Sequence, residues 1–148
     1  MHSNHDSLNK ILVKLFNDIL KIEEKYLCRG DFSDLTMTEF HIIENIGLSG
    51  DRTMSETAKD LRVTSGTLTI GIDNLVKKGY VKRQRDHEDR RRMVIGLTDE
   101  GLKAFRAHQQ FHEEMVNHTL EDLSPEQEKV LIKALFNVDK YFKKKYHA

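Results

Sequence analysis

A chain of 148 residues with 38% hydrophobic and 32% charged side chains and one proline suits a single helix-rich domain. No apolar run approaches the roughly 20 residues that cross a bilayer, Met1 to Ser7 lacks the apolar stretch of a secretory signal, and the lone Cys28 excludes an internal disulfide framework, so a reducing cytoplasm is expected. The 24 basic and 24 acidic side chains cancel unevenly: residues 53–106 hold 12 basic against 8 acidic groups, whereas 1–52 hold 6 against 9. A basic centre between acidic flanks is what a phosphate-binding surface leaves on a neutral scaffold.

The spacing of Leu8, Ile11, Leu12, Leu15, Phe16, Ile19, Ile22 and Tyr26 predicts an amphipathic helix over 6–27, with these residues on one stripe, ended by Arg29-Gly30-Asp31. Thr36 and Glu39 form a Thr-x-x-Glu capping box that opens a second helix, closed at Gly47, with Gly50-Asp51 as the turn. A second such box, Thr53 to Glu56, starts a short helix through Ala58 and Leu61, and Thr64 caps another over 65–78 with Leu68, Ile72, Leu75 and Val76 inward and Gly79 at its end. Two short helices joined by a turn of this length are a helix-turn-helix, and the small Ser65, Gly66, Thr67 and Thr69 leave the second one thin enough to enter a groove.

Residues 80–85 read as a strand, and Met93, Ile95 and Leu97 alternate with Arg92, Val94 and Gly96 in its hairpin partner. The loop between them, Asp86 to Arg92, is too rich in arginine to be buried and reads as a wing. Thr98 caps a long helix through Leu120, and Ser124-Pro125-Glu126-Gln127 opens the last one, which runs through Val130, Leu131, Ala134, Leu135, Val138, Tyr141 and Phe142. The expected fold is thus mainly α: a winged helix-turn-helix lobe over 36–101 with a two-stranded β-hairpin wing, and terminal helical regions, 1–35 and 102–148, within one domain spanning 1–148. The terminal helices carry more apolar stripe than so small a lobe covers, which predicts a homodimer that sets two recognition helices one DNA turn, roughly 34 Å, apart on a palindromic operator.

An enzyme is not expected, since no phosphate-binding glycine loop, nucleophile elbow or His-Glu-x-x-His helix occurs, and a Cys28–His41 pair has no third orienting group. A non-DNA interaction module is the less economical reading, because it needs no Arg90-Arg91-Arg92 on its wing. His108 and His112 lie one helical turn apart.

Asp86-x-x-Asp89-Arg90-Arg91-Arg92-Met-Val-Ile-Gly-Leu97-Thr98-x-x-Gly101, together with Val63-Thr-Ser-Gly-Thr-Leu-Thr69 and Leu75-Val-Lys-Lys-Gly79-Tyr-Val81, resembles the MarR family of winged-helix regulators over almost the whole chain. Ile22-Glu-Glu24, Lys78-Gly-Tyr80 and His108-x-x-Phe111-His112-x-x-Met115-Val116 are most similar to the FabT-type repressors of bacterial fatty-acid synthesis. The resemblance implies Arg91 at the wing tip in the minor groove, steadied by Asp89 and accompanied by Arg90. It implies Ser65, Thr67 and Thr69 at major-groove edges or phosphates, and Asn74, Lys77 and the helix start at Thr53 on the backbone.

The implied effector is a long-chain acyl group on acyl carrier protein, in a tunnel that Leu12, Phe16, Phe105, Phe111 and Met115 would line; no cofactor is required. Glu24 (or Glu23), Cys28, His41, His108 and His112 resemble the ligands of zinc-sensing members, so a zinc-responsive repressor stands as the alternative to a plain polar seam of histidines bonded to Glu24. A redox- or small-ligand-responsive repressor using Cys28 is a further reading.

Overall fold

A computed structural model describes residues 2–147, so positions 1 and 148 of the expected domain lie outside the described residues. The elements run α1 (His2–Leu27), a 3-10 turn (Gly30–Phe32), α2 (Met37–Ile46), β1 (Arg52–Thr53), α3 (Met54–Leu61), α4 (Ser65–Lys78), β2 (Val81–Arg85), β3 (Met93–Leu97), α5 (Asp99–Thr119) and α6 (Pro125–Tyr146). They form two compact units, Met1–Phe111 and His112–Ala148, with the boundary inside α5.

The helix starts are where their side chains dictate. Thr36 with Glu39, Thr53 with Glu56 and Ser124 with Gln127 each close a reciprocal capping box, which satisfies amide donors that a helix cannot bond internally. Arg62, at φ 56°, ends α3 in the left-handed conformation, and Arg62, Val63 and Thr64 make the turn into α4. Gly79, at φ 89°, ends α4 as the expected left-handed residue.

The core of the first unit is the meeting of α2 and α4. Phe40, Ile43 and Ile46 from one helix and Leu68, Ile72 and Leu75 from the other are fully buried, and Ile95 of β3 joins them. Gly71 lies in this contact: a Cβ placed there would lie 2.6 Å from the Ile42 Cδ1.

Two sequence expectations change. The wing hairpin is part of a three-stranded antiparallel sheet of order β1-β3-β2, because Arg52 and Thr53 pair with Ile95 and Val94. A two-residue strand leaves no periodic signal, so residues 52–53 read as turn and cap. As a consequence β3 is central, and α2 and α3 both pack against it, so Val94 is buried beside Ile95 while Met93 is exposed, in place of the expected strict alternation.

The α1 stripe divides as well. Leu12, Ile19, Glu23 and Leu27 form a wholly or partly covered line, and Leu8, Ile11, Leu15, Phe16 and Ile22 remain exposed. Eight apolar positions at three- and four-residue steps cover too wide an arc for one packing partner.

In the second unit, α6 buries none of its side chains and exposes Val130, Ile132, Leu135 and Phe136. Its end carries an aromatic group, with Tyr141 5.5 Å from Phe142 and 6.2 Å from Tyr146 between ring centres. Among the described residues, no helix is long and apolar enough to cross a membrane.

Gly101 is the glycine with least room for a side chain, since a Cβ there would fall 2.0 Å from the backbone oxygen of Tyr80. Backbone cannot yield as a side-chain tip can. Gly101→Ala is therefore expected to lower stability by roughly 1–3 kcal/mol, the usual cost of overpacking, as measured by urea denaturation.

Candidate nucleic-acid interface

Helix α4 is held from behind and left open in front. Behind it, the Lys78 ammonium donates to both Glu39 carboxylate oxygens, at 2.8 and 3.1 Å, and to the Asp34 carbonyl at 2.6 Å, which fastens its last turn to α2. Beside it, Arg83 of β2 pairs with Asp73 and neutralises the acid on the exposed half of the helix. Lys77 projects to solvent as the free cation of the pair Lys77-Lys78.

The hydroxyls expected to touch DNA are all exposed, but they are not equivalent. Thr69 donates to the Ser65 carbonyl at 2.8 Å, so its oxygen can only accept from a base or water. Thr67 receives the Thr64 hydroxyl at 2.8 Å and keeps its own proton to donate. With about 100° between successive residues, Ser65 and Thr69 lie on one flank of the outward line and Thr67 and Asn74 on the other. Thr53 has its hydroxyl and its amide engaged by Glu56 at 3.2 and 3.3 Å, so any phosphate at this helix start would meet the unbonded amides of Met54 and Ser55.

The wing is a built loop. The Asp86 amide donates to the Arg92 carbonyl and the Arg92 amide to the Asp89 carbonyl, both at 2.9 Å. Asp89 accepts the Arg91 amide at 3.0 Å and lies 3.5 Å from its Nε, which is the steadying contact the sequence suggested. Arg92 points back to Glu56 at 2.8 Å and to Asp86 at 3.8 Å. The three arginines thus divide, and Arg90 and Arg91 are the ones at the tip, with the Arg91 side chain 95% exposed.

A second cluster lies where α1, α2 and α5 meet. His108 is buried, its Nε2 2.5 Å from Glu23 Oε1 and its Nδ1 2.8 Å from Glu44 Oε2. His41 Nε2 approaches the same Glu23 oxygen at 3.9 Å, and one donor atom from each of Glu23, His41 and His108 lies within 4.8 Å of the others. Of the two carboxylates expected, Glu24 or Glu23, the one in the cluster is Glu23. One residue is about 100° of helix, and position 23 continues the covered line from Ile19 to Leu27 while Glu24 turns to solvent. Cys28 is half-buried and His112 half-buried on the part of α5 that belongs to the second unit.

A cavity of about 440 Å³ opens between α2 and α4, lined by Ile42, Leu61, Val63, Leu68, His41 and Asn74 among others. None of Leu12, Phe16, Phe105, Phe111 and Met115 lines it. Phe105 and Phe111 pack against the core, Leu12 and Met115 are half-buried and Phe16 is exposed.

A capped helix-turn-helix, an outward helix and an arginine-tipped hairpin define a winged-helix protein with the features of a transcriptional regulator. Residues 35–93 match the MarR family model. The HTH-type transcriptional regulator SarZ of Staphylococcus saprophyticus is 33% identical over 68% of this chain and 70% of its own. YfiV of Bacillus subtilis, also an HTH-type regulator, is 29% identical over 69% of this chain; the chain spans just under two thirds, 64%, of that relative's length. Among solved structures, Streptococcus pneumoniae FabT in complex with DNA superposes with a TM-score of 0.83 at 36% identity, over 95% of this chain and 98% of that one. The chain belongs to the MarR family.

Burial, followed by the neighbouring Glu24, Glu23 and Glu39, pushes the Cys28 thiol up from 9.0. A folded-state pKa above the unfolded value keeps the thiol protonated in the native protein at and beyond the pH where a free cysteine ionises. Iodoacetamide is therefore expected to label Cys28 in native protein more slowly than in urea-unfolded protein throughout pH 7–9, as followed by intact mass. Equal rates would instead support a reactive, redox-sensing cysteine.

Proposed function

We propose that the chain is one protomer of a homodimeric repressor that binds a palindromic operator in double-stranded DNA. The observation that carries this reading is the division of cations on one surface. Lys78, Arg83 and Arg92 are spent inside the fold, while Lys77 on α4 and Arg90 on the wing enter no ion pair among the described residues, and Arg91, touched by Asp89 only at its Nε, keeps its outer nitrogens exposed to meet phosphate and a narrow minor groove. An interaction module that never met DNA would gain nothing from two exposed guanidinium groups on its tip. The exposed apolar lines of α1 and α6 supply the surface for a second copy, and two-fold pairing presents two copies of α4 to adjacent major grooves.

The regulated genes are those of fatty-acid synthesis, and the effector is a long-chain acyl group on acyl carrier protein. The likeness to FabT over nearly the full length of both chains supports this finer reading. It is tested by gel shift on a duplex enriched by the protein from a random pool, with and without acyl carrier protein charged with a C16 or C18 chain. A changed affinity supports it, and an unchanged one removes the acyl effector.

The Glu23, His41 and His108 cluster favours one other reading, a zinc-responsive repressor. A carboxylate and two imidazoles with converging donor atoms suit a divalent site that keeps a fourth position open. Calorimetry on chelator-treated protein is expected to show micromolar or tighter binding that is lost in His108→Ala if zinc is the effector, and no heat otherwise.

Arg91→Ala is expected to weaken operator binding by roughly 1–3 kcal/mol, most on A·T-rich sites. Lys77→Ala should weaken binding to all duplexes alike and flatten its salt dependence. Fluorescence anisotropy across a salt series separates the two effects.

A further inference from the structure

The outward line of α4 holds an apolar side chain, Ile70, that borders the rim of the α2–α4 cavity but is not packed into the core. Leu68, Ile72 and Leu75 are fully buried and fix the inward direction of the helix. Ile70 stands two residues from both Leu68 and Ile72, which at about 100° per residue places it opposite the core. It is 66% exposed. A β-branched apolar residue in that position weakens the helix slightly and leaves its own apolar surface largely in water, so the fold gains little from it.

Gly66, one turn earlier on the same line, repeats the anomaly. A Cβ there would meet nothing within 4 Å, and its backbone is ordinary helix. No close packing within the chain requires a glycine at this position, although glycine is among the poorest residues for a helix. Gly71, by contrast, is needed for the approach of Ile42. A helix front that is bare at Gly66 and apolar at Ile70 is shaped for a body outside the chain that comes very close and offers one apolar group.

We propose that Ile70 is a specificity-determining residue that reads the C5-methyl group of a thymine in the major groove, and that the bare backbone at Gly66 lets α4 seat deeply enough for it to do so. The inference rests on the DNA-binding reading above. The thymine methyl is the apolar group that a base pair displays in that groove; the other groups there are hydrogen-bond donors and acceptors. The polar side chains of Thr67, Thr69 and Asn74 flank Ile70 and suit those donors and acceptors. Asp73, which would repel phosphate beside Ile70, is already paired with Arg83. Lys77 shares the outward line and supplies the sequence-independent attraction.

The test uses full-length protein and a duplex that it has itself enriched from a random pool. Each thymine is replaced in turn by deoxyuridine, which removes the methyl and nothing else. The unmodified chain is expected to lose about 3–5-fold in affinity at one position per half-site, the worth of one methyl group taken out of water. Ile70→Ala should bind more weakly overall and be indifferent to that replacement, and Ile70→Val should retain the sensitivity. Gly66→Ala should unfold at a higher temperature yet bind the same duplex more weakly, an outcome that no purely structural role produces. If wild type and Ile70→Ala respond alike to every thymine, the inference is overturned and DNA binding stands. If no sequence is enriched at all, the DNA reading fails and takes the inference with it.

Discussion

Everything that faces outward on this protein depends on how α4 is held from behind. A helix can lie in a groove with its backbone close to another molecule only if the opposite face fixes it, because its exposed side contributes little to keeping it in place. Here that face is Leu68, Ile72 and Leu75 against Phe40, Ile43 and Ile46, with the Lys78–Glu39 ion pair closing the last turn. Partial burial of that pair matters less for its energy than for its geometry. A lysine stretched between two carboxylate oxygens and a carbonyl fixes the rotation of α4 about its axis. That rotation decides which residues form the outward line.

The same logic explains how a chain of zero net charge can carry a cationic face. Net charge sums over all groups, but a phosphate responds to those that are unpaired and within a Debye length of about 10 Å. Arg52 is paired with Asp60, Arg83 with Asp73, Lys78 with Glu39 and Arg92 with Glu56. These pairs remove cations from the working surface and build the scaffold that displays the rest. Arg92 is instructive, since it sits in sequence beside Arg91 yet serves as the tether that holds the wing to the start of α3.

What could be read from sequence follows from the range of the forces involved. The capping boxes at Thr36, Thr53 and Ser124 and the left-handed Gly79 are each settled within a few residues, and each was legible. Strand β1, by contrast, exists because Val94 and Ile95 offer it backbone partners some forty residues away. The choice of Glu23 over Glu24 depends on which arc of α1 its neighbours cover, and the spread of apolar residues around that helix left the arc undefined. Ile70 was legible only in part. The inward set Leu68, Ile72, Leu75 and Val76 already leaves Ile70 out, but periodicity alone does not show how much of a side chain off that set stays in water.

The histidine cluster and the recognition helix meet through α2. His41 lies between Phe40 and Ile42 in that helix; Phe40 stacks edge-on against His108 at 5.8 Å, and Ile42 is the residue that leaves no room for a Cβ at Gly71 of α4. His41 and Ile42 are thus neighbouring residues of the helix on which α4 rests, one turned to the histidine cluster and the other to the helix contact. The 440 Å³ cavity beside this contact includes both His41 and Ile42 in its wall, so the cavity and the Glu23, His41 and His108 cluster share the His41 side chain. Both places where a ligand has room or donor atoms therefore border the helix that supports the DNA-reading one, whereas the exposed line of α4 borrows nothing from the histidine cluster.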